Sequence, residues 1–322
     1  GTLEEYLVML EAAYTAIKQV DPALRVMTGG FAMYDRNPEF IEGVVERGQE
    51  WFDILAWHRH GTFPMFQREV DGPLARLRDR LDPPRPLYFN ETAVASVGGQ
   101  ERMQAETLVK KLTFAWARGA MGYTWYDLRD DGFDPDEHEH TYGLVTNDFY
   151  PKAAYPVYNT LVRLLRDKVF AAALALGEQK WGFVFEGDGE SVVVSWNEAM
   201  TQAEEQVLLS TDATVAERVD LMGNRRAGSV RGRDWVLLPV GPRPSFLVLK
   251  GDASPALLGR FLTLEGVAPL VPGREAAVQL RLENPFSRVE RFRLRWRLPD
   301  ALGGAATERD VDMMPNSSSR LE

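Results

Sequence analysis

The sequence predicts a mixed fold: an α/β half built on a parallel sheet over residues 1–170, followed by an all-β half of antiparallel strands. Three observations predict it. Up to residue 168, short and almost continuously apolar strands alternate with amphipathic helices, the pattern of a parallel sheet covered on both faces. Beyond it, helical periodicity stops and short strands follow one another between turn residues. The first of those turns, Gly187-Asp188-Gly189, is hairpin chemistry and joins antiparallel neighbours.

The elements follow in order. Residues 2–20 form a helix, because Thr2 and Glu5 have capping-box spacing and Leu3, Tyr6, Leu7, Leu10, Tyr14 and Ile17 make one apolar stripe. Asp21-Pro22 ends it, and 25–31 is a short strand running into Gly29-Gly30. A helix over 38–48 precedes a buried strand at 52–57 that leads into His58-Arg59-His60-Gly61. The cycle repeats as helix 73–81, strand 86–91, helix 100–118, strand 122–128 and helix 156–168. This repeating unit fills about two-thirds of the ~250 residues of a (β/α)8 barrel. In the second half, strands are expected at 181–186, 191–197, 205–210, 216–222, 235–240 and 246–250, an antiparallel β-sandwich. Three more, at 261–265, 276–283 and 289–298, resemble the start of an immunoglobulin-like module, and 316–322 reads as an unstructured tail. The expected domains are therefore 1–170, 171–252 and 253–322.

Composition narrows the function. A chain of 322 residues, 45% hydrophobic, can bury two or three cores. Its 37 basic and 47 acidic residues leave a net charge of −10, which repels nucleic acid. There is no cysteine, so disulfides, thiolate catalysis and zinc–cysteine sites are excluded. No apolar run approaches the ~20 residues of a membrane span.

Catalytic groups of such barrels sit at the carboxyl ends of the strands. The polar residues there are His58 and His60, then Asn90 and Glu91, then Trp125, Asp127 and the acidic stretch from Asp130 to His140. All four histidines of the chain fall in this set. Each residue also has a plainer reading. Glu91 could be a solvated loop carboxylate, and Trp125 simple core packing. His58 and His60, two apart on one strand face, would also suit a divalent metal. The stretch 134–140 reads as a solvated acidic loop; Arg129 and His138 break the spacing of a calcium-binding EF-hand.

The strand-end motifs resemble those of the large clan A of (β/α)8 retaining glycoside hydrolases, its cellulase-like and family 39-like members above all. The pieces are Ala16-Ile-Lys-Gln-Val-Asp-Pro22 with Gly29-Gly30, Phe52-Asp-Ile-Leu-Ala-Trp-His58, Pro86-Leu-Tyr-Phe-Asn-Glu91, Trp125, Leu128-Arg-Asp-Asp-Gly132, Tyr142-Gly-Leu-Val145 and Pro151-Lys-Ala-Ala-Tyr155. The resemblance covers 2–168 and implies the C-terminal half of the barrel, strands five to eight. It implies that Glu91 is the nucleophile, attacking a β-linked sugar to form a glycosyl–enzyme intermediate. His58, His60, Asn90 and Asp127 would support it, and Trp125 would be the floor on which the sugar stacks. The family carries His-x-Tyr where this chain has His58-Arg59-His60, so the tyrosine contact to the nucleophile is replaced or lost. The acid/base glutamate of the family lies on the strand preceding the first helix, and is expected upstream of residue 1. No cofactor and no metal is implied. The partners implied are a carbohydrate substrate and either the other half of the barrel or a second copy of the chain. The accessory β domains favour an extracellular setting. The alternative reading is a non-catalytic carbohydrate-binding or scaffold protein built on an incomplete barrel.

Overall fold

A computed structural model describes residues 1–199, 204–228, 234–251, 255–267, 278–297 and 306–321. The chain forms two compact units, Gly1–Arg166 and Asp167–Glu322. It is mixed α/β with several sheets.

In the first unit, helix α1 (Leu3–Val20) starts where its local chemistry says it should. Thr2 Oγ1 accepts the Glu5 N–H at 3.2 Å, and Glu5 accepts the Thr2 N–H at 2.8 Å. Such a cap contributes about 1 kcal/mol. Helix α2 (Pro38–Arg47) buries Ile41, Val44 and Val45, and Arg47 clamps Glu4 of α1 through two hydrogen bonds of 2.6 and 2.8 Å. Strands β1 (Leu55–His58), β2 (Leu87–Thr92) and β3 (Ala120–Trp125) pair in parallel in that order. Leu55, Ala56 and Trp57 are all buried, which is why β1 reads as a continuous apolar run.

Two expectations change here. The segment 25–31 runs beside 54–58 and, among the described residues, bridges it at Met27–Ile54 and Phe31–Trp57 without forming a continuous strand. Between them the Thr28 hydroxyl, not a backbone carbonyl, takes the Ala56 N–H at 2.9 Å, and so interrupts the ladder. The helix expected to start at Pro73 starts ten residues earlier. Helix α3 (Phe63–Glu69) passes through a π-turn (Val70–Leu74) that holds Pro73 and continues as α4 (Ala75–Arg78). A wider turn tolerates the missing proline N–H that would break a regular helix. Helices α5 (Glu101–Ala117) and α6 (Ala154–Leu165) agree with their patterns within a few residues.

The second unit is all-β. Strands β4 (Val169–Ala173), β5 (Lys180–Gly187), β6 (Glu190–Asn197), β8 (Val215–Val219), β9 (Arg225–Gly228) and β11 (Ser245–Lys250) form one antiparallel sheet, ordered β4-β5-β6-β11-β8-β9. A second sheet runs β10-β7-β12-β13-β16, from β7 (Glu205–Ser210), β10 (Trp235–Val240), β12 (Ala256–Val267), β13 (Val278–Glu283) and β16 (Ser318–Leu321). Val207 and Leu209 of β7 join Val193, Leu238 and Leu247 in one core. Leu208, pointing the other way, joins Phe261, Leu282, Phe292 and Leu294 in another. The period of two along β7 thus lets one sheet line two cores. The second core is closed by a ribbon of β14 (Glu290–Arg297) and β15 (Ala306–Met313).

The change expected near residue 252 falls where β12 extends the sheet already begun by β7. The tail is no loose end either: β16 pairs with β13 from Leu280↔Leu321 to Glu283↔Ser318. Alternating Ser318-Ser-Arg-Leu321 is too short and polar to signal a strand, and only an open neighbour recruits it. Residues 276–277 and 298 of two expected strands lie outside the described residues.

Candidate active site

The site lies at the carboxyl end of the parallel sheet. The register of β1 against β2 runs Leu55↔Leu87 to Trp57↔Phe89, then shifts so that His58 stands opposite Glu91. The ladder continues past the strand ends, with the Arg59 N–H on Glu91 O at 3.1 Å and the Gly61 N–H on Ala93 O at 2.8 Å. This backbone pairing puts both histidines against one carboxylate. His60 Nε2 is 2.9 Å from Glu91 Oε1, and His58 Nδ1 is 3.7 Å from Oε2. The Glu91 side chain remains 35% exposed, open enough to meet a substrate. A carboxylate oxygen accepts, so His60 Nε2 carries the proton. Burial holds the His60 pKa below its ordinary value, and Glu91 opposes that fall. The other ring nitrogen, Nδ1, is buried without a hydrogen-bond partner among the described residues. The contact to Glu91 at this strand end is thus made by an imidazole.

Room for His58 comes from a glycine. A Cβ on Gly30 would run into the His58 ring, so the Gly29-Gly30 pair lets 25–31 pass close against it. On the other side Tyr126 and Tyr142 close an aromatic wall. The His60 ring lies 5.7 Å from Tyr126 and 5.0 Å from Tyr142, both edge-on, and the two tyrosines are 5.6 Å apart. Tyr142 hydroxyl is 3.0 Å from His138 Nδ1. Burial, with help from Glu139 and Glu91, pushes the Tyr142 phenol up to about 12.

The remaining expected residues are placed as follows. Trp125 is buried, 7% exposed, and its indole N–H donates to Tyr142 O at 3.1 Å. Asn90, one residue before Glu91, has a buried Oδ1 with no hydrogen-bond partner among the described residues. Asp127 is half-buried and its carboxyl is pushed up to about 6, first by burial and then by the charges of Asp131 and Asp130. Asp130 itself is structural: Lys152 Nζ binds its Oδ1 at 2.9 Å and the Gly143 N–H reaches the same oxygen at 2.7 Å. Asp131 accepts from the Tyr126 hydroxyl at 3.1 Å. His58 and His60 meet Glu91 and His138 meets Tyr142, whereas the His140 ring lies against Gly132 and lines a cavity whose lining does not include Glu91. Among the described residues, no three His, Asp or Glu side chains are placed to hold a metal ion.

Sequence reasoning missed Lys111. It lies on α5, is fully buried, and gives its three N–H bonds to Arg59 O (2.8 Å), Ala93 O (3.0 Å) and Gly61 O (3.3 Å). Those carbonyls flank His60 on one strand end and follow Glu91 on the next, so one ammonium pins both loops. Burial drives its pKa well below that of an ordinary lysine. Nearby, Glu69 takes the Trp57 indole N–H at 2.7 Å and lies 3.0 Å from Arg59 Nε. Gln104, also on α5, donates to Val94, Thr141 and Tyr142 carbonyls at 3.0–3.2 Å and anchors the loop carrying Tyr142. The only sequence signal for Lys111 is a lysine inside the apolar register of a long helix.

No family model matches the chain, and no curated protein compared with it matches either. Solved structures do. The chain is similar to a family 39 glycoside hydrolase from the gut symbiont Bacteroides cellulosilyticus WH2, with 22% identity and a TM-score of 0.62, over 76% of this chain and 55% of that one. It is similar to a GH30 endoxylanase from Clostridium papyrosolvens C71 (14% identity, TM-score 0.52, covering 78% and 61%). A third is AbfB, a family 51 alpha-L-arabinofuranosidase from Bifidobacterium longum (10% identity, TM-score 0.51, covering 77% and 64%). The chain thus spans less than two-thirds of each of these chains. Its fold is glycoside-hydrolase-like, which bears out the resemblance read from the strand-end motifs.

Proposed function

We propose that the protein is a retaining glycoside hydrolase that cleaves a β-linked sugar through a glycosyl–Glu91 intermediate. The observation that carries this reading is the half-exposed Glu91 carboxylate, gripped at 2.9 Å by neutral His60 and flanked at 3.7 Å by His58. A nucleophile must be held in one orientation yet left open on one side, and this carboxylate is both. In this reading the first unit is the C-terminal half of a (β/α)8 barrel, with β1 to β3 as its last three strands. The general acid/base is a glutamate on the barrel strand that precedes α1, about 5–5.5 Å from Glu91 as retention requires. Trp125, Tyr126 and Tyr142 form the aromatic side of the sugar subsite. The remaining strands come from the other half of the barrel or from a second copy of the chain.

The experiment is to incubate the protein with a panel of fluoro-sugar inactivators and map the modified peptide. The label is expected on the peptide 86–95 and absent from Glu91→Gln. A label on any other peptide, or turnover that survives Glu91→Gln, rejects Glu91 as the nucleophile. Oligosaccharide binding without turnover or label, even with the other half-barrel supplied, would favour the non-catalytic reading.

A further inference from the structure

Beside the candidate active site, between the chain that follows β2 and the long segment that follows β3, lies a cavity of about 240 Å³. Glu91, His58 and His60 do not line it. Phe133, Asp134, His140, Asn147, Asp148 and Lys152 do.

The wall is built rather than incidental. Lys152, 3% exposed, is fixed between Asp130 Oδ1 at 2.9 Å and Thr141 O at 3.0 Å, and the Asn147 amide donates to Asp130 O at 2.7 Å. A Cβ at Gly132 would run into the His140 ring, so bare backbone lets that ring seat itself. His140 Nδ1 is then buried with no hydrogen-bond partner among the described residues. That nitrogen is closed to solvent against Gly132, so His140 braces the wall of the cavity rather than offering it a polar atom. Phe133, by contrast, is 78% exposed at the cavity's edge, an aromatic face turned to solvent beside a polar hollow.

We propose that this cavity is a saccharide subsite, taking a neutral sugar unit of the same glycan whose scissile bond lies at Glu91. The proposal rests on the reading of Glu91 given above. The chemistry of the lining selects the ligand. Lys152 is matched by Asp130, which leaves Glu101, Asp134 and Asp148 as surplus negative charge, so uronate and phosphate groups are repelled. The carboxylates do not converge into a set of three that could hold a divalent cation. What remains is a ligand that donates several hydrogen bonds to the acidic lining and offers a flat C–H face to Phe133. A pyranose or pentose ring does both. The substrate is then an oligosaccharide or polysaccharide rather than a simple aryl or alkyl glycoside.

The test uses the full chain carrying Glu91→Gln, titrated with xylotetraose, cellotetraose, the monosaccharides xylose and glucose, and tetragalacturonate. Calorimetry gives affinity, and amide shifts of Gly132, His140 and Asn147 report the cavity. At least one neutral tetrasaccharide is expected to move those amides, and Phe133→Ala should weaken its binding about tenfold. Phe133→Trp should restore it, and tetragalacturonate should not bind. Phe133 is exposed, so its variants leave the fold intact. Tetrasaccharide binding that ignores Phe133→Ala, shifts confined to the surroundings of residue 91, or no tetrasaccharide binding at all would overturn the subsite. The two readings fail separately. Cavity shifts without a label at Glu91 keep the subsite and reject the nucleophile; a label at Glu91 without cavity shifts does the reverse.

Discussion

At the scale of single residues, the candidate site depends on which groups are charged. His60 is held neutral by burial while Glu91 pulls its pKa the other way. Glu91→Gln removes the opposing charge and leaves burial unbalanced, so the His60 ring should titrate lower still. NMR titration of the imidazole checks this, and a pKa that rises or stays put contradicts the contact. Asp127 gives a second prediction. Its carboxyl moves from 3.8 up to about 6 on folding, so the folded state binds its proton more tightly than the unfolded one. The resulting stability is present below the unfolded value and is lost as pH rises through about 6. Asp127→Asn keeps the neutral shape at every pH. It should therefore raise the melting temperature at about pH 8 and leave it unchanged at about pH 3. Equal effects at both pH values would rule out the burial argument.

At the scale of elements, the question is what holds two strand ends and their loops in one geometry. Backbone pairing brings β1 and β2 together, but the ladder is spent by Gly61 and Ala93. From there α5 takes over, with Lys111 reaching three carbonyls on the two loops. Lys111→Met keeps the apolar stem and deletes the donors, stripping the Arg59 and Gly61 carbonyls of theirs while Ala93 O keeps the Gly61 N–H. A loss of about 3 kcal/mol is expected from urea unfolding. A loss under about 0.5 kcal/mol, the size of an ordinary surface change, would show that the carbonyls find other donors. Replacing a buried charge is sometimes harmless when its partners go too, but here the partners are backbone and stay.

At the scale of the whole molecule, charge and sheet edges decide how the protein meets itself and others. The net charge of −10 keeps copies apart near neutral pH, and that repulsion vanishes near the isoelectric point of about 5.1. β3 is an edge of the described parallel sheet, and Met121 on it is 48% exposed. An edge strand with an apolar side chain is a surface that pairs when repulsion is removed. Light scattering should therefore rise as pH falls toward about 5 and fall again on return to about pH 8. Scattering that does not depend on pH would show that charge does not govern association.

Much of this protein is set by its sequence alone. The alternation of apolar runs with helical stripes is a local property, readable because strands repeat every two residues and helices every 3.6. For the same reason Glu91, His58 and His60 were legible: a strand end fixes where a side chain emerges, and spacing two fixes its face. The resemblance added an expected fold and an expected role, and solved structures bear out the fold. Tertiary structure alone decided the rest. Whether His60 reaches Glu91 depends on a register shift between β1 and β2, and registers are set between strands, not within them. Lys111 and Gln104 look like ordinary surface residues until packing buries them beneath two loops. Tyr142 arrives beside His60 through a loop whose course no local pattern encodes. The tail strand β16 exists because β13 offers it an edge. Local chemistry chooses elements and faces, while long-range pairing chooses neighbours, and the candidate site is made of neighbours.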